Sequence, residues 1–128
     1  MQEDPVTHRH FGGQQERLAE EFLREQGLIT IERNFHCRGG EIDLIMRDGA
    51  TLVFIEVRYR KHSRFGSAAE SVTRTKQQRL LRCARYFMLT REGCQDLPCR
   101  FDVMALCPDP GGRPVQYDWI QDAFSGFA

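Results

Sequence analysis

The pattern of hydrophobic and polar positions predicts seven secondary-structure elements in a mixed α/β order. A helical spacing of apolar residues that includes Leu18 and Phe22 follows Gly12-Gly13 and ends at Gly27. After this helix the pattern predicts a strand at 29–37, a hairpin at 41–60, a helix at 73–90, and strands at 100–107 and 115–120. A parallel crossover through the second helix would give a central mixed sheet flanked by helices.

The length of 128 residues fits one domain with a substantial core. We expect a flexible lead-in at 1–11 and a single domain at 12–128. The N-terminal residues lack the apolar core of a signal peptide, and no stretch approaches the roughly 18 apolar residues of a membrane span. These features predict a cytoplasmic protein without a membrane partner.

The cysteine pattern also favours a cytosolic protein. The number of cysteines is odd, at five, and no C-x-x-C pair occurs. Such a pattern is typical of reduced, partly buried thiols rather than of a disulfide framework or a structural zinc site. The five residues are Cys37, Cys83, Cys94, Cys99 and Cys107.

The distribution of charge is more informative than its total. The 18 basic residues balance the 18 acidic ones, so the net charge indicates no particular partner. Positive charge nevertheless concentrates between Arg58 and Arg85, whereas acid is dense near the first helix and after Asp102. A balanced chain of this kind can carry a basic face that follows a nucleic-acid backbone, although a merely solvated face would show the same pattern.

Carboxylates lie inside the two apolar runs of the predicted hairpin, where burial of an unpartnered charge is costly. A two-residue loop, either Asp48-Gly49 or Gly49-Ala50, places the charged residues of both strands on one face of the sheet, whereas a three-residue loop would separate them. Like charges this close repel unless a cation or a proton lies between them, and oxygen ligands suit Mg²⁺ or Mn²⁺. The residues concerned are Glu41, Asp43, Glu56 and Arg58.

A set of short motifs between about Gly13 and Asp122 gives the chain a specific resemblance. These motifs are Glu16-x-x-Ala19, Asn34-Phe35-His36-Cys37-Arg38, Gly40-Glu41-Ile42-Asp43-Leu44-Ile45, Phe54-Ile55-Glu56-Val57-Arg58-Tyr59-Arg60, Phe65-Gly66, Val72-Thr73, Lys76-Gln77 and Arg100-Phe101-Asp102-Val103. With them the chain resembles the PD-(D/E)xK nuclease superfamily and, within it, the YraN family, which is related to Holliday-junction resolvases. The resemblance implies a restriction-endonuclease-like core of a helix, a three-stranded meander, a helix and further strands.

The resemblance also implies roles for individual residues. Asp43 matches the metal-binding aspartate, Glu56 matches the acid of the (D/E)-x-K element, and Glu16 matches a first-helix glutamate that helps to hold the metal or its water. The carbonyl of Val57 is the expected backbone ligand. Arg58 stands where the superfamily usually has lysine, and arginine can stabilise a phosphorane but is a poor proton acceptor. Arg58 could instead form a salt bridge to Glu56 or Glu41.

The basic loop and the start of the second helix are the predicted nucleic-acid surface, because amides at a helix N-terminus also favour phosphate. The predicted nucleic-acid-binding residues are Arg60, Lys61, Arg64, Arg74, Lys76, Gln77 and Arg79.

Two functional hypotheses follow. The first is a magnesium- or manganese-dependent endonuclease that acts on DNA, with branched DNA implied by the resemblance alone. The second is a catalytically inactive nucleic-acid-binding module of the same fold, which Arg58 favours. A homodimer would match the habit of resolvases, although nothing in the sequence requires one.

Overall fold

The computed structural model describes residues 7–61 and 71–124, with side chains from residue 13 onward. Its elements are α1 (Thr7–Glu25), β1 (Ile29–Cys37), β2 (Gly40–Asp48), β3 (Thr51–Tyr59), α2 (Arg74–Thr90), β4 (Cys99–Cys107) and β5 (Gln116–Phe124). The predicted order of elements is confirmed. Helix α1 begins at Thr7, so it starts inside the segment that the pattern assigned to the lead-in.

The five strands form one mixed sheet in the order β1-β2-β3-β4-β5. Strands β3 and β4 are parallel and are joined through α2, whereas the other neighbouring pairs are antiparallel. The predicted α/β class and restriction-endonuclease-like core are therefore confirmed.

The two helices pack against two separate apolar clusters of the sheet. Leu80 and Phe87 of α2 lie in a cluster with Phe54 of β3, and Leu23 of α1 lies in the other with Ile55 of β3. Successive residues of β3 thus belong to different clusters, as expected for a strand that is covered on both faces. Fully burying a side chain of this size stabilises the fold by about 1.5–3 kcal/mol.

Both helices have ends that the local sequence explains. The amide of Leu28 donates to the carbonyl of Leu23 at 3.1 Å and that of Gly27 donates to Arg24 at 3.0 Å, which is the Schellman pattern. Gly27 has φ +102°, a conformation that residues with a β-carbon rarely adopt. At the start of α2, the hydroxyl of Thr73 accepts from the amide of Lys76 at 3.1 Å and so places Lys76 in the first turn.

The hairpin between β2 and β3 has the second of the two predicted loops. Asp48 pairs with Thr51, so the connecting residues are Gly49-Ala50. The ladder continues regularly to the pair Leu44–Ile55, one position before the two predicted metal-binding acids.

The expectation that every thiol is reduced is wrong. Cys37, at the end of β1, and Cys83, in the middle of α2, form a disulfide with a Cα–Cα distance of 5.5 Å. Cys94, Cys99 and Cys107 are free. The two bonded residues are 46 positions apart and meet only because α2 packs across the β1–β2 turn, which residue spacing does not reveal.

Neither helix of the described ranges combines the length and the apolar character that a bilayer crossing requires.

Candidate metal and nucleic-acid site

Three acidic side chains from three different elements interact where the pairing of β2 with β3 ends. Glu16 comes from α1, Asp43 from β2 and Glu56 from β3. Asp43 and Glu56 are buried, with exposed fractions of 8% and 5%. We call these three residues the acidic centre.

Asp43 occupies an irregular position in β2. Ile42 and Ile45 both lie in the cluster against α2, whereas Leu44 lies in the cluster against α1, so strict alternation of side chains is broken beside Asp43. On the neighbouring strand β1, Asn34 has φ +51° and lies between two regular pairs with β2. The prediction that regular alternation places all four hairpin charges on one face is therefore wrong at this position.

The irregularity lets the Asp43 carboxylate contact two elements. Its Oδ2 accepts a hydrogen bond of 2.8 Å from the backbone amide of Val57 in β3. When one of the two carboxyls carries a proton, the side chain of Asp43 also shares a hydrogen bond with Glu16 of α1. The carboxylate thus replaces a backbone partner where β2 and β3 separate, and it links α1 to the sheet.

The acids of the centre resist ionisation together. Burial, followed by the charge of Asp43, raises the pKa of Glu16 to about 8. Burial and the charge of Asp43 likewise raise the pKa of Glu56 to about 7, although Lys76 and Arg58 act in the opposite direction. Burial also raises the pKa of Asp43. A divalent cation would relieve this repulsion and favour the ionised carboxylates.

Two basic side chains approach the same oxygen of Glu56. The Nζ of Lys76 lies 3.5 Å from Glu56 Oε2, and the Nε of Arg58 lies 3.4 Å from that atom. Arg58 also donates from Nη2 to the backbone carbonyl of Ser71 at 3.3 Å. Arg58 is therefore anchored to the chain just before α2, while Lys76 supplies an ammonium group to the acidic centre.

The sequence assigned Lys76 to the nucleic-acid surface and missed its proximity to Glu56. The helix cap at Thr73 was a usable signal, because it fixes Lys76 in the first turn of α2. The distance between that turn and β3 is a matter of long-range packing and has no local signature. The neighbouring Gln77 donates from Nε2 to the carbonyl of Val72 at 3.0 Å, so its amide nitrogen holds the start of the helix.

Glu41 lies close to the acidic centre but has its own partner. Its Oε1 is 2.7 Å from Nε2 of His36, its cross-strand neighbour on β1. Its charge nevertheless contributes to the raised pKa values of Glu16 and Asp43. The contact with His36 differs from the pairing with arginine that the sequence suggested.

The remaining predicted nucleic-acid-binding residues that the structure describes lie in the first two turns of α2 or just after β3. Arg79 lines a cavity together with Lys76 and the β1–β2 turn. Arg60 and Lys61 follow the end of β3, and Arg74 is exposed at the first position of α2. The last residue of the set, Arg64, lies outside the described residues, as does the Phe65-Gly66 motif.

The donor set of the acidic centre fits a hard divalent cation. Within residues 7–61 and 71–124, no three His, Cys, Asp or Glu side chains already surround one point as a preformed metal cage. Mg²⁺ does not require such a cage, because it commonly binds through one or two carboxylates and keeps several waters. Two carboxylates whose ionisation is opposed chiefly by burial match this mode. The predicted ligand role of the Val57 carbonyl stays a prediction.

Together, the fold and the acidic centre define an α/β protein with a restriction-endonuclease-like core and a carboxylate-rich site where β2 and β3 separate. The sequence profile of "Uncharacterised protein family UPF0102" matches residues 15–106. The chain belongs to this family, which confirms the predicted YraN membership.

Relatives match the chain over nearly its whole length. A UPF0102 protein of Nitrosococcus oceani is 48% identical over 120 residues, which are 94% of this chain and 95% of the relative. One of Saccharophagus degradans is 49% identical, with coverage of 94% and 97%. A third, from Hahella chejuensis, is 52% identical over 112 residues, or 86% of each chain.

Proposed function

We propose that this protein binds nucleic acid and hydrolyses phosphodiester bonds with the help of Mg²⁺ or Mn²⁺. The observation that supports the proposal most strongly is the meeting of Glu16, Asp43 and Glu56 beside the ammonium group of Lys76. Buried carboxylates with raised pKa values next to a basic side chain are common in sites that perform chemistry.

In this proposal Asp43 and Glu56 hold the cation, and Glu16 holds it or one of its waters. When bound, the cation would stabilise charge on a phosphoryl oxygen and lower the pKa of a bound water. The hydrogen bond from the Val57 amide fixes the orientation of the Asp43 carboxylate. The second oxygen of Asp43 takes no part in that bond and would be available to a cation.

Lys76 and Arg58 have different roles. Lys76 is half-buried. Its ammonium group lies 3.5 Å from Glu56, and its side chain also lines the cavity between α2 and the β1–β2 turn. It would orient the attacking water and stabilise negative charge on the phosphate. Arg58 is held by the Ser71 carbonyl and keeps the Glu56 carboxylate in place. Arginine at the usual lysine position is thus compatible with hydrolysis, because a lysine arrives from α2.

The reaction would be a substitution at phosphorus. The oxygen of a water would form a bond to phosphorus, and one phosphorus–oxygen ester bond would break. The products would be one end that carries a phosphate monoester and one that carries a hydroxyl group. The released proton would pass to solvent. The preference for branched DNA rests on the family resemblance alone, and a homodimer would suit such a substrate.

The test is a cleavage assay with supercoiled, single-stranded and four-way-junction DNA in Mg²⁺ and in Mn²⁺. We expect a cut product that disappears in Asp43→Ala and Glu56→Ala while binding of DNA persists. Arg113→Gln is a suitable control, because Arg113 is 85% exposed in the β4–β5 connection and contacts Asp109 at 4.0 Å.

An inactive nucleic-acid-binding module is the alternative function. Arg58 at the lysine position supports it, because arginine is a poor proton acceptor. Salt-sensitive binding of DNA without a cut product, in either metal and with every substrate, would establish this alternative in place of hydrolysis.

A further inference from the structure

A second feature adjoins the acidic centre and shares Lys76 with it. The β1–β2 turn and α2 border an open cavity of about 340 Å³. We call it the turn pocket; its lining residues are His36, Gly39, Gly40, Glu41, Lys76 and Arg79.

The wall of the turn pocket is formed by close contact between main chain and helix. A β-carbon added at Gly40 would lie 3.3 Å from the Cβ of Arg79 and 3.3 Å from the sulfur of Cys83. The disulfide between Cys37 and Cys83 joins the same turn to the same helix. The pocket therefore lies between two elements that are held together. The backbone that carries its cationic side chains is fixed in position as a result.

Positive charge lines the α2 side of the turn pocket. Lys76 and Arg79 are three residues apart, a spacing that places them on neighbouring positions of one helical face. Arg82, three residues further, points its Nη1 toward the turn, 3.0 Å from where a β-carbon of Gly39 would lie. The lining also contains the acid Glu41, whose Oε1 lies 2.7 Å from Nε2 of His36, so the cationic side chains of α2 outnumber the acidic one.

Lys76 belongs to both sites. Its Nζ contacts Glu56 in the acidic centre, and its side chain also lines the turn pocket. An anion in the pocket would therefore lie next to whatever occupies the acidic centre. Among the residues that the structure describes, the pocket lining is mainly charged and polar, which suits a phosphate group better than a base.

We propose that the turn pocket binds the backbone phosphate that neighbours the scissile phosphate on the same nucleic-acid strand. This inference rests on the proposed function, because the scissile phosphate defines the neighbour. Arg79 is the main donor to this second phosphate, since a guanidinium group presents paired donors to phosphate oxygens. Lys76 lies between the two phosphates and sets the register of the strand against the acidic centre.

The test uses a labelled single-stranded oligonucleotide and a series in which one phosphate at a time is a neutral methylphosphonate. Binding is measured without added metal, by fluorescence anisotropy at several salt concentrations, for the wild type, Arg79→Gln, Arg79→Lys and Arg113→Gln. The exposed Arg113 gives a matched loss of one positive charge away from the pocket.

Arg79→Gln should weaken binding by about three- to tenfold and reduce the salt slope by about 0.7, the value for one single-strand phosphate contact. One methylphosphonate position should weaken the wild type but have no effect on Arg79→Gln. Arg79→Lys should restore the salt slope. Equal effects of Arg79→Gln and Arg113→Gln, or the same methylphosphonate profile in wild type and Arg79→Gln, would overturn the proposal.

The cleavage assay separates this inference from the proposed function. A phosphate contact that depends on Arg79, without hydrolysis in any metal, would support the pocket and contradict catalysis. The opposite result is hydrolysis that depends on Asp43 while the wild type and Arg79→Gln bind and cut the DNA equally well. It would contradict the pocket and support catalysis.

Discussion

The ammonium nitrogen of Lys76 lies 3.5 Å from Oε2 of Glu56, so the first turn of α2 brings a positive charge to an acid of β3. Arg58 lies on the same strand as Glu56 but is anchored to the carbonyl of Ser71. In the proposed chemistry Lys76 therefore acts on the water and the phosphate, whereas Arg58 holds the Glu56 carboxylate in place.

Replacement of Lys76 should affect cleavage more than replacement of any other basic residue near the acidic centre. We expect Lys76→Ala to lower the single-turnover rate by about a hundredfold or more, because a charge aimed at the reacting phosphate is lost. Lys76→Arg should retain part of the rate, since it keeps the charge but not the compact ammonium group. A rate for Lys76→Ala within twofold of Arg113→Gln would contradict the assigned role.

The stability of the metal-free protein should fall as the pH rises toward 8. The pKa values of Glu16 and Glu56 are raised from 4.5 to about 8 and about 7, so the folded state binds more protons than the unfolded chain between these limits. The stabilisation that comes from these raised pKa values is fully present below about pH 4.5. It is lost as the pH rises through the folded-state pKa values. Urea unfolding in a chelator, at several pH values, measures this slope.

Two variants and one addition sharpen this experiment. Glu16→Gln should make the slope shallower, whereas Glu21→Gln, a change of an exposed acid on the same helix, serves as the matched control. Mn²⁺ should stabilise the wild type more at pH 8 than at pH 6, because the cation competes with protons for the carboxylates. A slope that is identical in wild type and Glu16→Gln would show that this carboxyl does not hold the extra proton.

The disulfide gives a prediction that is independent of catalysis. The unreduced, denatured protein should show three reactive thiols out of five cysteines, because Cys37 and Cys83 are joined. Closing a loop of this length stabilises the folded state by about 4 kcal/mol in the chain-entropy description, so reduction should lower the free energy of unfolding by a similar amount. Five reactive thiols before reduction would disprove the bond.

A buried acid of β4, opposite Ile55 of β3, supports the fold through a hydrogen-bond network of its own. Asp102 is 1% exposed and accepts hydrogen bonds from Arg100 Nε at 3.0 Å, Trp119 Nε1 at 2.9 Å and the amide of Asp122 at 2.9 Å. Asp102→Ala should lower the free energy of unfolding by about 3–5 kcal/mol, because it leaves buried donors without their acceptor.

The control for this change is Asp118→Ala at an exposed position of β5, where we expect about 0.5 kcal/mol or less. Thermal or urea unfolding measures both variants. Equal stability of Asp102→Ala and Asp118→Ala would show that the network of Asp102 contributes little to the fold.

The sequence predicted the strands and helices well because their signals are local. The Asp48-Gly49-Ala50 segment restricted the hairpin to two loops, and the pair Asp48–Thr51 shows which one forms. Alternation along β3 correctly placed Glu56 and Arg58 on one face, where both contact each other. Gly27 marked the end of α1 for the same reason, since its left-handed conformation depends only on neighbouring residues.

The features that the sequence missed depend on long-range packing. The meeting of Cys37 with Cys83 and of Lys76 with Glu56 both require α2 to lie across the sheet at one particular height. The break in alternation beside Asp43 has no pattern in the hydrophobic sequence, because a regular strand and an irregular one can carry the same residues. Single-sequence reasoning therefore found the acids and the contact of Arg58 with Glu56, but it missed the break beside Asp43 and the approach of Lys76.

Anomalous diffraction from a crystal soaked in manganese would measure the main claim directly. We predict one manganese peak within ligand distance of the Asp43 and Glu56 carboxylates, on the side that faces Lys76, and its loss in Asp43→Asn. The contradicting result is a crystal of the folded protein, soaked in millimolar manganese, that shows no peak at that position. In such a crystal Glu56 would still contact Lys76 and Arg58.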